Sequence, residues 1–308
     1  MNWNKIGKID ILKWISENKF VSEFATLPTP IHLNNDVIRI YVGFCDKNSV
    51  GRVGYVDVDA DNPSQIIRVS NTPVLDLGRP GCFYDNGVVP LSVLRVDNLI
   101  YLYYVGFQLA VKIPYFMFGG LAISYDNGDS FERVSENPIL DRKNDELFAR
   151  CGMYVMKDED MYKMWYIGTM GKGWTKNNSS LKPLYTMRYM YSEDGIHWEQ
   201  NSQICMSFKN ADEHGFGRPY VWKDESGYKM LYSIRTYSQG YYIGYAESID
   251  EINWIRKDDL AGIQISKKGW DSINISYPVA IQHKEKKYLF YNGNGCGKTG
   301  FGYAELEI

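Results

Sequence analysis

Tyr241-Tyr-Ile-Gly-Tyr-Ala-Glu-Ser-Ile-Asp-Glu-Ile-Asn-Trp-Ile-Arg256 decides the fold. Tyr241 to Glu247 alternates large and small residues and is rich in β-formers. Ser248 to Asn253 carries the polar residues of a tight turn, and Trp254-Ile255-Arg256 begins a further strand. The same phrase recurs along the chain. Gly120-Leu-Ala-Ile-Ser-Tyr-Asp-Asn-Gly-Asp-Ser-Phe-Glu-Arg133 is one copy and Arg188-Tyr-Met-Tyr-Ser-Glu-Asp-Gly-Ile-His-Trp-Glu199 another. Phe301-Gly-Tyr-Ala-Glu305 is a truncated copy and Val53-Gly-Tyr-Val-Asp57 a degenerate one. Copies spaced by about 55 to 70 residues mark a repeat architecture.

A Tyr-rich strand precedes each copy: Ile38–Gly43, Ile100–Gly106, Tyr162–Gly168, Tyr228–Ser233 and Tyr288–Gly293. Before each of these lies a first strand: Thr29–Leu33, Val88–Val96, Met153–Lys157, Pro219–Trp222 and Tyr277–His283. First strand, Tyr-rich strand, variable loop, Gly-Tyr-Ala strand, turn and a short Trp-x-Arg strand make a four-stranded antiparallel unit. Repeated in a ring, it predicts an all-β, five-bladed propeller, one domain over 1–308. Its blades fall at about 22–76, 82–141, 146–206, 213–266 and 271–308 plus 1–10. The fifth unit lacks its Trp-x-Arg strand, and Trp3-Asn4-Lys5 has that pattern. The N-terminal segment is therefore expected to supply the missing outer strand and close the ring. Residues 11–20 read equally as a helical turn or a connecting strand.

Two segments depart from the repeat. Phe107–Phe118 reads as a long apolar loop, either packed on its neighbours or forming a pocket rim or a homo-oligomer contact. Gly171–Pro183 reads as a polar, flexible loop carrying Trp174, whose indole could stack on a sugar ring.

Composition narrows the function. Tyrosine (25), tryptophan (8) and glycine (28) are abundant, and the net charge is −3. There is no polybasic run, so neither nucleic acid nor an anionic membrane is an expected partner. No stretch approaches the ~18 apolar residues of a membrane span. The N-terminus lacks the apolar core of a secretory signal. Five scattered cysteines without a CxxC read as reduced fillers, so a cytoplasmic location is expected. No P-loop, GxGxxG after a strand, HExxH or Gly-x-Ser-x-Gly occurs, and the four histidines lack metal spacing. Neither metal nor cofactor is expected.

In a propeller the innermost strands line a central funnel. Each unit has an acid shortly before or at its first strand: Glu23, Asp85, Glu146, Glu213 and Asp271. Single acids on turns are usually just solvated, but five at related positions in a ring suggest convergence. Glycosidic cleavage needs that: one carboxylic acid protonates the leaving oxygen, and a second carboxylate activates water or attacks the anomeric carbon. Asp85 leads, in Cys82-Phe-Tyr-Asp-Asn-Gly-Val-Val-Pro90, followed by Glu213, in Ala211-Asp-Glu-His-Gly-Phe-Gly-Arg-Pro219. Glu23 and Glu146 complete the catalytic set. Arg150, Arg218, Arg235 and His214 gather near first strands, and with Asp271, Tyr277 and Trp174 they form the candidate binding set. The arginines either pair with the acids or hold an anion such as phosphate or a sugar carboxylate. Phosphate in place of water would make a phosphorylase.

The repeat Tyr-x-x-Tyr-x-Gly … Ile-Gly-Tyr-Ala-x-Ser-x-Asp-Gly-x-x-Trp resembles the five-bladed propeller glycosidases, glycoside hydrolase families 32, 43, 62, 68, 117 and 130. The resemblance covers nearly the whole chain. It implies acids on the inner strands of the first blades: Glu23, Asp85, and Glu146 or Glu213. Ser22–Pro30 lacks the Asp-Pro-type base of families 32 and 43, and Ala149-Arg-Cys-Gly152 stands where family 43 carries its acid motif. The arginine-rich inner strands look closer to family 130, which includes mannoside phosphorylases. The chain also looks like propeller proteins encoded with bacterial surface-polysaccharide enzymes, so a glycosyltransferase is an alternative. A non-catalytic sugar-binding propeller would keep funnel aromatics and arginines but lack two acids at catalytic spacing. A protein-interaction scaffold would carry its aromatics on an outer face.

Overall fold

The computed structural model describes residues 1–11, 14, 20, 21, 23–177, 180–199 and 201–307, without the side chain of Glu23. The chain opens with β1 (Trp3–Lys8). The first unit is β2 (Glu23–His32), β3 (Val37–Cys45), β4 (Gly51–Asp59) and β5 (Ile66–Val69). The second is β6 (Val88–Val96), β7 (Leu99–Leu109), β8 (Tyr115–Ser124) and β9 (Glu132–Arg133). The third is β10 (Ala149–Asp158), β11 (Met161–Asn177), β12 (Ser180–Ser192) and β13 (Gln203–Met206). The fourth is β14 (Glu213–Asp224), β15 (Gly227–Thr236), β16 (Gly240–Ser248) and β17 (Ile255–Arg256). The fifth is β18 (Ser276–His283), β19 (Lys286–Asn292) and β20 (Phe301–Leu306).

Within each unit consecutive strands pair antiparallel, and β1 adds to β20 with Trp3 opposite Leu306. The innermost strands touch in sequence, β2 to β6, β6 to β10, β10 to β14, β14 to β18 and β18 to β2. This is a closed ring of four-stranded blades, with the N-terminal strand completing the last one. The segment 11–20 lies largely outside the described residues.

The repeated phrase has a packing cause. Gly120 sits opposite Tyr104 and Gly244 opposite Tyr232. A Cβ on either glycine would come within 2.3 Å and 2.9 Å of the facing ring. The glycine is thus the seat of a buried tyrosine on the neighbouring strand. The Ser-x-Asp that follows builds the turn. Ser124, Ser192 and Ser248 Oγ donate to Asp126, Asp194 and Asp250 at 2.7, 3.0 and 3.1 Å, and those carboxylates accept backbone N–H groups of the turn.

Several element boundaries differ from the sequence reading. The first strands of blades one, three and four begin at Glu23, Ala149 and Glu213, ahead of Thr29, Met153 and Pro219. Every inner strand carries a register shift: at Leu27-Pro28, Leu91, Gly152-Met153, Arg218-Pro219 and Tyr277-Pro278. A bulge breaks the period-two alternation and tolerates proline, so the residues ahead of it read as loop. Phe107–Phe118 is not a long loop: Phe107 pairs with Met117 and Leu109 with Tyr115, leaving 110–114 as the turn. Gly171–Pro183 is likewise mostly hairpin, with Trp174 opposite Pro183 and Thr175 opposite Lys182. Gly171 and Gly173, at φ 54° and 77°, absorb a bulge there. Both hairpins continue the blade ladder beyond the core of the blade.

At the axis Arg218 is 1% exposed. Its guanidinium donates to Pro28 O (3.0 Å), Thr29 Oγ1 (2.9 Å), Leu91 O (3.3 Å) and Tyr277 O (2.9 Å). Burial pushes its pKa down to about 9. Arg218→Met should lower unfolding stability by about 3 kcal/mol or more, because four acceptors lose their donor at once. Arg218→Lys should recover little, since an ammonium cannot span the fork; a matched denaturant midpoint for wild type and Lys variant would refute the bracing role.

Blades three and four are clasped by Lys163, which bonds Asp158 (2.7 Å), Tyr228 Oη (2.8 Å) and Glu251. The lysine holds the Asp158 and Glu251 carboxyls below the usual range, although burial opposes it at Glu251. Their contribution is present above the unfolded carboxylate pKa of roughly 4 and is lost as pH falls toward the depressed folded values. Denaturant unfolding at pH 7 and pH 3 should show wild type losing more stability on acidification than Asp158→Asn.

Candidate functional site

The bulges aim one side chain or backbone turn per blade at the axis. There, residues of all five inner strands, among them Leu27, Leu91, Cys151, Arg218 and Tyr277, line a cavity of about 230 Å³. The hairpins joining second and third strands raise its walls. Phe107 and Tyr115 come from blade two, Tyr185 from blade three, and Arg235 and Tyr241 from blade four.

Those walls are aromatic. Tyr115 and Tyr185 hydroxyls lie 3.3 Å apart, and Tyr277 Oη donates toward Tyr241 Oη at 3.4 Å. Burial raises the pKa of Tyr185, Tyr241 and Tyr277, so all three stay protonated at neutral pH. The Arg235 guanidinium sits 5.3 Å from the Tyr185 ring and 5.0 Å from the Tyr241 ring. Burial also raises the Cys151 thiol to about 12, which keeps it neutral.

Of the sequence-selected residues, Arg218, Arg235 and Tyr277 reach this cavity. Asp85, Glu146, Glu213 and Asp271 do not line it, nor do Arg150, His214 and Trp174. Among the described residues no carboxylate is part of this lining. Glu23 begins an inner strand, but its side chain lies outside them.

Three of the acids turn into their own blades. Glu146 is fully buried, takes the Tyr166 hydroxyl at 2.9 Å, and pairs with Arg150 (3.1 Å) and Arg188 (3.5 Å). Burial still pushes its carboxyl up against the pull of both arginines. Asp271 takes Lys5 Nζ at 2.6 Å and the Tyr291 hydroxyl at 3.0 Å. Glu213 receives both ends of the Arg256 fork, at 2.7 and 2.8 Å. Arg256 and Lys5 are the last positions of the Trp-x-Arg phrase and its N-terminal counterpart. That phrase therefore supplies the cation that fastens a blade's outer strand to the acid ahead of its inner strand.

Blade two breaks the pattern. Arg133, its equivalent cation, stacks 3.9 Å from the Tyr84 ring and donates to Asp76 O. Asp85 is left without an ion-pair partner among the described residues; its one carboxylate bond is from Gly81 N, at 2.8 Å. It is half-buried in a depression with Asn86 and Gln108. Asn86 N donates to Phe107 O, so this depression adjoins the funnel wall.

The remaining candidates are packing groups. His214 stacks on Tyr237 with centroids 4.6 Å apart, bonds Pro183 O through Nδ1, and is held neutral by burial. Trp174 braces Phe148 (4.7 Å) and Tyr115 (5.6 Å) from behind the cavity wall. Sequence reasoning missed Leu27, Leu91, Tyr115, Tyr185 and Tyr241. The available signal was Leu27-Pro28, Arg218-Pro219 and Tyr277-Pro278, the same X-Pro step at one place in three inner strands.

If Glu213 is a clasp, Glu213→Gln should cost about 3 kcal/mol of stability, because Arg256 loses one of its two carboxylates in a buried site. Coupling in a double-mutant cycle with Arg256→Met checks this. Unchanged stability with lost turnover would instead make Glu213 a chemical group.

No protein-family model matches the chain. Among solved structures, a thermostable family-43 glycoside hydrolase superposes with a TM-score of 0.67 at 15% identity, covering 94% of this chain and 91% of that one. The β-1,2-mannobiose phosphorylase from Listeria innocua gives a TM-score of 0.65 at 10% identity, covering 93% and 90%. At these identities the likeness is one of fold, the propeller of that glycosidase superfamily. In sequence, the chain is 33% identical over 307 residues to the uncharacterized protein Rv1502 of Mycobacterium tuberculosis strain H37Rv, with 100% of both chains covered. It belongs to the same family as that mycobacterial protein.

Proposed function

We propose that this protein is a carbohydrate-active enzyme that holds a glycosyl group in the central funnel. The carrying observation is the funnel itself, a cavity built from every inner strand and walled by Tyr115, Tyr185, Tyr241 and Tyr277. Aromatic faces take the apolar C–H face of a sugar ring, and phenolic hydroxyls exchange hydrogen bonds with its hydroxyl groups. The glycoside hydrolase and phosphorylase with which it shares its fold support the same class.

Asp85 is the proposed proton donor. Blades three, four and five tie the corresponding acid to a cation, and among the described residues Asp85 of blade two has none. As a general acid it would protonate the departing glycosidic oxygen while water, or inorganic phosphate as co-substrate, attacks the anomeric carbon. A second reading, a non-catalytic carbohydrate-binding propeller, is favoured by one observation: no pair of carboxylates lines the funnel among the described residues.

The test is turnover of aryl glycosides and of manno- and gluco-oligosaccharides, with and without phosphate, by wild type and Asp85→Asn. Asn keeps an acceptor for Gly81 N, so the variant should unfold at the wild-type midpoint while kcat drops about 100-fold or more. Turnover only with phosphate makes the enzyme a phosphorylase, and turnover without it a hydrolase. Saccharide binding with no turnover in any lane would favour the binding propeller.

A further inference from the structure

We propose that the funnel receives an anionic group and that Arg235 binds it, so that the ligand is a sugar bearing a phosphate or a carboxylate. This rests on the carbohydrate reading above and narrows its substrate class.

The argument is one of charge balance. Among the described residues, the enclosed Arg39, Arg150, Arg188 and Arg256 each hold a carboxylate, and Arg133 lies over the Tyr84 ring and donates to Asp76 O. Arg218 has no carboxylate, but four oxygens take up its fork. Arg235 has neither: no carboxylate pairs with it and no hydrogen bond engages its guanidinium among the described residues. It is half-buried, its ring neighbours are neutral phenols, and it lines the cavity beside Arg218. The described lining thus contains two cations and no anion.

Water can serve such a guanidinium while the cavity is open. A sugar filling about 230 Å³ would displace that water and leave the fork unpaired unless it brought acceptors of its own. A planar guanidinium matches two oxygens of one phosphate or carboxylate, which a hydroxyl cannot offer. The tyrosines would then hold the ring while Arg235 holds the charge.

The test is calorimetric titration of the intact protein with inorganic phosphate, glucose, glucose 1-phosphate, glucuronate, mannose and mannose 1-phosphate. At least one charged sugar should bind about tenfold or more tighter than its neutral parent, and added salt should weaken that preference. Comparison of phosphate-bearing and carboxylate-bearing sugars names the group. Arg235→Met should abolish the preference, bringing the charged sugar to the affinity of its neutral parent in the same variant, and Arg235→Lys should retain part of it. Unfolding midpoints check that both variants are folded. Equal affinity for charged and neutral sugars, or a preference that survives Arg235→Met, overturns the proposal and leaves the carbohydrate reading standing. Arg235-dependent binding of inorganic phosphate with no sugar bound would keep the anion site and remove the carbohydrate reading. No binding by any probe would overturn both.

Discussion

A single buried guanidinium governs the geometry of the funnel. Arg218 sits on β14 and donates to oxygens on β2, β6 and β18, so four of the inner strands share one donor group. Three of its acceptors, the Pro28, Leu91 and Tyr277 carbonyls, belong to the bulges, where ladder pairing is interrupted and a carbonyl is left to point inward. The arrangement is mutual. Without the bulges there would be no inward oxygens for the fork, and without the fork those oxygens would be buried and unpaired. Desolvation weakens the hold of Arg218 on its proton, yet at about 9 its pKa leaves it charged at neutral pH.

The same economy explains the acids. Glu146 and Asp271 each bond the tyrosine hydroxyl of their own second strand, and Asp271 and Glu213 each take a cation from the outer strand. A blade has to fasten its first strand to its fourth across two intervening strands. A buried acid reaching a buried cation does so where backbone ladders cannot. In blades four and five a carboxylate at that position is therefore a fastening of the blade, before any chemistry is asked of it. Blade two meets the demand differently, with Arg133 over the Tyr84 ring, and among the described acids Asp85 alone has no ion-pair partner.

This is why the fold was legible in the sequence and much of the site was not. Gly120 and Tyr104, or Gly244 and Tyr232, are cross-strand pairs that leave a local, repeated trace, and from that trace the blades and the N-terminal closing strand follow. The funnel lining obeys no such period. Leu27, Leu91, Gly152, Arg218 and Tyr277 occupy one structural position with four different residue types, and the bulge that exposes them breaks the alternation by which strands are read. Tyr115 and Tyr185 reach the axis because two hairpins that look like loops continue as ladders. The acids were conspicuous because they recur, and for three of them recurrence reflects the blade.

The electrostatic consequence runs against the family likeness. A funnel that cleaved glycosides with a pair of carboxylates would carry negative charge at its axis. Here the described lining carries Arg218 and Arg235, while Glu146, Glu213 and Asp271 spend their charge inside blades. The two arginines are not equivalent. Arg218 is taken up by backbone and hydroxyl oxygens as part of the wall. Arg235 stands on the second strand of blade four with its fork unengaged. A shared backbone can thus hold the opposite field, because the ring fixes only where an inner-strand side chain points. Its charge is set residue by residue at the bulge and on the hairpins beside it. The shared fold accordingly sets the shape of the funnel, and the arginines set the charge of its described lining.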